Sequence, residues 1–365
     1  MAGISNSDLI DLQRTTLENL PSLDFETAIS QQEFQAVNEW FQKDKIQIES
    51  GTSISRRVML DNSGNARHVR LYQKSSINVP QLLRPLTAPW VQVEGQYSIE
   101  RREALRNRKP AMYIELLKTR RLDSQLAMAD ILEQRAWKTP EDSTDDINPR
   151  GLPYYLSKLL PATGSGYDAA IDVAGGFSGR RVIYGDGTEV LNDKSGINPT
   201  TQAKWRNYAD EIDGINGATV KKLARAFYAT KFKSPMLATD LKQGPASKYR
   251  IYVTLDDLVE YDDLARKSND NLGADLAKFH GVTAFNRVPV LWSPNLDDDD
   301  DKPIYGVNHA KFFPIVQEGD WMREGEPMMD VELHNVITTF IDGSYQYFCT
   351  NVREAGFVLH RRRAS

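Results

Sequence analysis

From Pro110 to about Trp137, apolar side chains recur at helical spacing without interruption: Ile114, Leu117, Leu122, Leu126, Ala129 and Leu132. Proline suits the first helical position, where an N–H would have no partner in any case. At ~1.5 Å per residue the segment predicts a rod of about 40 Å, well beyond the ~11-residue average of globular helices. Lys118, Arg120, Arg121, Arg135 and Lys138 distribute charge around it, so much of its circumference faces water or another polar surface. Any fold for this chain has to accommodate that rod.

The flanking segments have a different character. Residues 1–45 read as an arm: Leu9, Leu12, Leu17, Leu20, Leu23 and Phe25 are scattered among polar residues, and Pro21 interrupts. A short helix is predicted over Ser30–Lys43, where Phe34, Val37, Trp40 and Phe41 fall at helical spacing. The arm holds too few apolar residues to fold alone. Ile46, Ile48, Ile54, Val58 and Leu60, the turn-forming 61–65 stretch, and the alternating run His68–Tyr72 predict a long β-hairpin. Arg56, Arg57, Arg67 and Arg70 make this ribbon basic, and a two-stranded ribbon is marginal by itself in water, so it needs a partner surface. A proline-rich linker with Pro80, Pro85 and Pro89 leads on towards the rod.

Beyond a Pro140- and Pro149-bounded break, an amphipathic helix is predicted at Thr219–Phe232 and an apolar strand at Tyr249–Val253. A helix capped by Thr254, with Asp257 three residues on, follows. The C-terminal part turns β-rich, with strands at Val288–Trp292, Pro303–Val307, Lys311–Val316, Met328–Leu333 and Val336–Cys349. Helices and strands in this order predict an α+β fold, and 365 residues exceed one ordinary core, so two or three domains are expected.

Composition excludes several classes. Hydrophobic residues make up 40% and charged residues 26%, ordinary values for a folded chain. The net charge is −5, so the protein is expected to approach or contain nucleic acid rather than wrap it. Cys349 is the sole cysteine, which rules out an internal disulfide or cysteine cluster and suits a reducing cytoplasm. It lies in an apolar strand and is expected to be an inert core thiol. The N-terminus lacks a signal-peptide core, and the sequence has no ~20-residue apolar span.

No motif with catalytic spacing stands out. Gly164-Ser165-Gly166 and Gly175-Gly176 lack both the Gly-Lys-Ser/Thr of a phosphate loop and the dinucleotide fingerprint, and turn chemistry accounts for them better. The five aspartates Asp297–Asp301 lack the spacing of a calcium loop and read as a solvated tip. His68, His280, His309, His334 and His360 include no pair at metal-ligand spacing. Arg361-Arg362-Arg363 reads equally well as a solvated tail or as a contact to nucleic acid. No catalytic residue, metal ligand or cofactor is therefore assigned.

The order of these parts resembles the major capsid proteins of tailed phages, the Hong Kong 97-like fold. Two stretches carry the resemblance most specifically. Gly196-Ile197-Asn198-Pro199-Thr200-Thr201 leads to Trp205-Arg206-Asn207 and on to an amphipathic helix. Val288-Pro289-Val290-Leu291-Trp292 leads through an acidic turn to Pro303-Ile304-Tyr305-Gly306-Val307-Asn308. The resemblance implies an N-terminal arm at 1–45 and an E-loop hairpin with linker at 46–96. It implies a peripheral domain with a spine helix at 97–149 and an axial domain at 150–301. The closing strands and tail, 302–365, would return to the peripheral domain. It further implies self-assembly as pentamers and hexamers into an icosahedral shell, made in the host cytoplasm. Portal and scaffolding proteins would be partners, packaged double-stranded DNA would be held without sequence-specific contacts, and no membrane is involved. Scaffolding would be a separate protein or a segment cleaved from before the arm. Assembly contacts are expected at Arg56, Arg57, Arg67, Arg70, Trp205 and Arg206. An encapsulin-like nanocompartment shell is the alternative with the same fold; a soluble enzyme using the Gly-rich 164–187 region is a third.

Overall fold

A computed structural model of the chain describes residues 35–49, 51–60, 66, 68–70, 83–102, 110–159, 171, 173–185, 193–232, 248–267, 283–286, 288–329 and 335–361. Its elements begin with α1 (Ala36–Asp44, wound as a π-helix), β1 (Ile46–Ile48), β2 (Ser53–Met59), β3 (Leu83–Pro89), β4 (Val91–Glu100) and α2 (Pro110–Ala136). Then come α3 (Leu152–Tyr155), β5 (Gly176–Ser178), β6 (Asn207–Ile212), α4 (Gly217–Thr230), β7 (Tyr249–Val253), α5 (Leu255–Lys267), β8 (Ala284–Phe285), β9 (Val288–Trp292) and β10 (Ile304–Asn308). The chain closes with β11 (Phe312–Gln317), β12 (Arg323–Glu324), β13 (Met328–Met329), β14 (Val336–Cys349), α6 (Val352–Ala355) and β15 (Gly356–Arg361). Two compact units result. One draws on residues 1–50, 90–136 and 314–346, the other on 51–89, 137–313 and 347–365.

The first unit is built on the long helix α2. Its side chains Leu117, Met128, Ala129, Leu132 and Ala136 are buried. They meet a sheet in which β4 runs antiparallel to β14, from Val91 opposite Tyr345 to Glu100 opposite Val336. Strand β4 alternates, turning Val91, Val93, Tyr97 and Ile99 inward, as a half-buried strand should. Gly95 breaks that pattern for a steric reason: a Cβ there would lie 2.6 Å from Met128 Sδ, so the helix approaches the strand through this gap. Helix α1 contributes Trp40 and Phe41, and Phe41 stacks on Trp321 with ring centroids 5.1 Å apart. Strand β1 then adds to β11 in parallel.

The start of α1 is held by one carboxylate. The backbone N–H groups of Ala36 and Val37 donate to Glu133 Oε2 at 2.6 and 3.0 Å, inside a buried site. First-turn N–H groups have no partner within a helix, and leaving a buried donor unpaired costs about 1–3 kcal/mol. Glu133→Ala is accordingly expected to lower the unfolding free energy by about 3 kcal/mol. Urea titration of the subunit checks this; an unchanged midpoint would remove Glu133 from the account.

The second unit holds a seven-stranded mixed sheet in the order β5-β6-β15-β10-β7-β9-β8. Helices α4 and α5 contribute Leu223, Phe227, Leu258 and Tyr261 to its core. Phe227 is the hub, with Phe232, Phe285 and Phe357 at centroid distances of 4.9, 5.2 and 5.6 Å. Asn216 caps α4 by accepting from the N–H groups of Ala218 and Thr219 at 2.9 and 3.0 Å. Thr254 caps α5, its Oγ1 accepting from Asp257 N at 3.3 Å as its sequence position predicts.

Three expectations change. The ribbon pairs β2 with β3, Ser53 opposite Pro89 and Met59 opposite Leu83, rather than with residues 67–72. Residues 68–70 are not in a strand, and the 61–65 turn lies outside the described residues. The supposed linker is thus a strand. Pro85 and Pro89 are tolerated because, among the described residues, no strand pairs with β3 on its side away from β2, so a missing N–H there breaks no ladder bond. Secondly, Ile46–Ile48 and Val91–Glu100 belong to the sheet of the first unit, whereas β2 and β3 go with the second; Gly51, at φ +139, marks the break. Thirdly, the closing segment 302–365 does not stay together. Strands β10 and β15 lie inside the sheet of the second unit, and only 314–346 joins the first. All five residues of β10 and the first five of β15 are buried, which suits an interior position and no other.

Candidate assembly interface

The β2–β3 ribbon forms a two-stranded sheet of its own. Its inward side chains Ile54, Leu86 and Ala88 are 2, 0 and 0% exposed. On the opposite face, at the end of the ribbon, Met59 and Leu83 stand across from each other and are 58 and 46% exposed. Arg56 and Arg57 are both exposed, and the Arg56 guanidinium stands 5.8 Å from the Phe313 ring centroid. A cation over an aromatic face is attracted by the ring quadrupole, which orients Arg56 without neutralising it. The ribbon therefore presents cations beside uncovered apolar side chains.

A hydrogen-bonded clasp holds the base of the ribbon. Thr87 N donates to Ser195 O at 3.2 Å, and Arg150 donates to Thr87 O at 2.7 Å and to Ser195 Oγ at 3.3 Å. Ser195 and Gly196 both have positive φ, +54 and +90, in the tight turn from Lys194 to Ile197. That turn is fixed from beneath by Lys194, which is fully buried and donates to Asn207 Oδ1 at 2.9 Å and Tyr155 O at 3.0 Å. Burial disfavours the ammonium and pulls Lys194 down to about 7. Cys349 lies in the same region and is equally buried, and desolvation pushes its thiol up to about 12. A thiol held protonated in this way is a poor nucleophile.

In the stretch 196–207 the conspicuous side chains bond within the subunit. Trp205 is 0% exposed and its Nε1–H donates to Lys194 O at 3.2 Å, so it offers no surface to a neighbour. Arg206 is spent on its own loop, donating to Pro199 O at 2.9 Å and Thr200 O at 2.8 Å. Asn207 completes the clasp by donating to Ser157 O at 2.8 Å. Of the remaining predicted contacts, Arg56, Arg57 and Arg70 are exposed, and Arg67 lies outside the described residues. The fold thus places Arg56 and Arg57 side by side on the ribbon, while Trp205 and Arg206 serve the loop 194–207. Sequence reading missed Lys194, Ser195 and Arg150, because a lone lysine between an aspartate and a serine carries no signal of burial.

The other singled-out residues also find structural uses. His309 is buried with its Nε2 2.9 Å from Tyr252 Oη, and desolvation holds it well below the ordinary imidazole value. His360 Nε2 accepts from Leu159 N at 3.1 Å, and burial lowers it as well. His280, His334 and Gly164-Ser165-Gly166 lie outside the described residues. In the acidic run, Asp297 accepts from Leu255 N and Trp292 Nε1, both at 2.8 Å, while Asp299 and Asp301 pair with Lys158. Arg361 pairs with Asp257 and Glu260, and Arg362 and Arg363 lie outside the described residues. Among the described residues no helix is long and apolar enough to cross a membrane.

No protein-family model matches the chain, and no curated protein sequence does. Solved structures do. The capsid asymmetric unit of cyanophage A-1(L) superposes with a TM-score of 0.59 at 11% identity, covering 92% of this chain and 94% of that one. The fold is the Hong Kong 97-like phage capsid fold. The capsid of the native GTA particle gives a TM-score of 0.49 at 11% identity over 91% of each chain. Mycobacterium phage Bobi gives 0.47 at 10% identity over 100% of each. Of these three only the cyanophage subunit exceeds 0.5, and the assignment rests on it.

Proposed function

We propose that this chain is the major capsid protein of a tailed double-stranded DNA phage, a structural subunit and not an enzyme. Pentamers and hexamers would form an icosahedral shell with portal and scaffolding proteins as partners. The reading is carried by one observation joined to the fold: a two-stranded ribbon bearing Arg56 and Arg57, with Met59 and Leu83 uncovered at its end. Exposed apolar side chains beside unneutralised cations are what a contact surface requires and what a solitary subunit does not. Closed shells need heterologous contacts that repeat round each axis, and an exposed ribbon face is suited to make them. The net charge of −5 suits a container wall along which packaged DNA slides without sequence-specific contacts.

Arg56→Glu with Arg57→Glu is expected to abolish shell formation while leaving subunit melting within about 2 °C of the parent, because both side chains are exposed. Negative-stain electron microscopy with sedimentation reads the outcome, for the chain alone and with its scaffold. Shells of normal yield from the double variant would remove the ribbon cations from the interface. A parent chain that stays a uniform monomer or dimer in both conditions would overturn the capsid reading itself.

A further inference from the structure

A cavity of about 420 Å³ opens on the second unit between the end of β2 and helices α4 and α6. That volume lies in the roughly 300–1,000 Å³ range of sites for small organic ligands. Lys204, Lys231 and Arg353 line it from three separate elements, and Glu354 is the one carboxylate among its described lining residues. Glu354 already faces Lys311 at 3.8 Å. Like charges gathered on one concave surface repel, and an anion placed between them removes that cost. Val58 and Met59 line the ribbon side, so the cavity is cationic towards α4 and α6 and apolar towards β2.

Each cation is carried on an anchored stretch of backbone. Lys204 sits in the short 203–205 turn beside the buried Trp205, whose Nε1–H donates to Lys194 O. Arg353 N donates to Asn351 Oδ1 at 3.2 Å, and the Arg353 guanidinium lies 3.9 Å from the Phe177 ring centroid. That contact engages the face of the guanidinium and not its N–H donors, which form the planar fork that matches two phosphate oxygens. Lys231 ends α4 in the left-handed region, φ +55 and ψ +34, where helices ordinarily place glycine. Lys231 N donates to Tyr228 O at 3.3 Å and Phe232 N to Phe227 O at 2.9 Å, so the backbone is fixed in that conformation. A lysine kept where glycine would be less strained points to a use for its charge.

We propose that this cavity binds a phosphate ester of about nucleotide size. The phosphate lies between Lys231 and Arg353, with Lys204 at the rim, and the organic part rests on Val58 and Met59. Charge-assisted hydrogen bonds supply the attraction, and the apolar side distinguishes an ester from inorganic phosphate. A free nucleotide and a nucleic-acid strand present the same group, and the test separates them. The inference goes beyond the capsid reading and does not rest on it, because every residue it uses belongs to one subunit.

Isothermal titration calorimetry of the full chain in phosphate-free buffer tests it. The probes are inorganic phosphate, thymidine 5′-monophosphate and a single-stranded oligothymidylate. Saturable binding of the monophosphate is expected, about tenfold tighter than that of inorganic phosphate. Lys231→Gly is the decisive variant. Glycine suits φ +55, so the melting temperature is expected to match or exceed the parent's, while monophosphate affinity falls about tenfold for the loss of one charged hydrogen bond. Met59→Ser is expected to weaken binding of the monophosphate and to leave that of inorganic phosphate unchanged. Tighter binding of the oligomer than of the monophosphate would identify a nucleic-acid strand as the source, and equal affinities the free nucleotide. No saturable binding of any probe, or equal affinities for parent and Lys231→Gly, would overturn the proposal. So would a Lys231→Gly subunit that melts well below the parent, because the lysine would then serve the fold and not a ligand.

Discussion

Gly356→Ala is expected to give no soluble subunit. Gly356 has φ +151, and a Cβ on it would lie 1.8 Å from the carbonyl oxygen of Gly306. That oxygen belongs to the facing strand: Val307 pairs with Gly356 and Gly306 with Phe357 in the β10–β15 ladder. A flexible side chain would move aside, but a backbone carbonyl at the centre of the sheet moves only if the ladder opens. The expected loss exceeds about 4 kcal/mol, a large share of the 5–15 kcal/mol that holds an ordinary domain. Gly306→Ala meets the Phe357 ring instead, with its Cβ 2.2 Å from Phe357 Cζ. Phe357 is wedged against Phe227 and Phe232, so the ring yields only partly, and about 2–3 kcal/mol is expected. Gly217→Ala provides the control of opposite sign. Nothing lies within 4 Å of its Cβ position in the first turn of α4, and the change is expected to add about 0.5 kcal/mol. Expression, solubility and urea midpoints of the three variants check the series. A soluble Gly356→Ala subunit with the parent midpoint would mean that β10 and β15 do not pair as described.

Lys194→Met is expected to remove a rise of stability with pH. Folded Lys194 titrates near 7, against ~10.4 for a free lysine. Between those values the unfolded chain binds a proton that the folded chain does not, so stability increases as pH rises, and below about 7 the full penalty of burying the ammonium is present. From pH 7 to pH 9 the gain is about 2–3 kcal/mol at ~1.4 kcal/mol per unit. Two neighbours bear on the measurement. Arg180 depresses Lys194 further. Cys349 acts in the opposite sense: its folded thiol is held up to about 12, so the unfolded chain loses that proton first and stability falls once pH passes the ordinary thiol range. The informative quantity is thus the difference in slope between parent and variant, in which the Cys349 contribution cancels. Urea unfolding at pH 7, 8 and 9 supplies it. The variant also leaves Asn207 Oδ1 and Tyr155 O without their donor, so its absolute stability at one pH says little. Identical slopes would show that Lys194 is not the buried, neutralised group described.

Regular elements were legible wherever periodicity and punctuation agreed. The rod from Pro110, the strand Tyr249–Val253, the Thr254 cap and the strands Val288–Trp292 and Val336–Cys349 appear as their patterns predict. The ribbon was only half legible. Its first strand carries β-branched residues and arginines, but its second contains Pro85 and Pro89, and prolines ordinarily argue against a strand. Only the free edge of a two-stranded ribbon makes them acceptable, and edge status is a property of the assembled sheet. The local motif around Trp205 carries part of the resemblance, and the structure buries its tryptophan. Its spacing identifies a loop that must close on itself, and a residue needed to close a loop is buried rather than offered to a partner.

Local sequence alone determined the long helix, the strand-rich closing region, the single inert thiol and the absence of any catalytic spacing. Those properties depend on neighbours within one or two turns, or on composition. Tertiary structure decided the rest: that 302–365 is split between two units, that Lys194 is buried beneath the ribbon, and that Met59 lines a cationic cavity. Each of these brings together residues tens to hundreds of positions apart. Their juxtaposition follows from which strands find which partners, and hydrophobic patterning sets the face a strand buries but not the strand beside it.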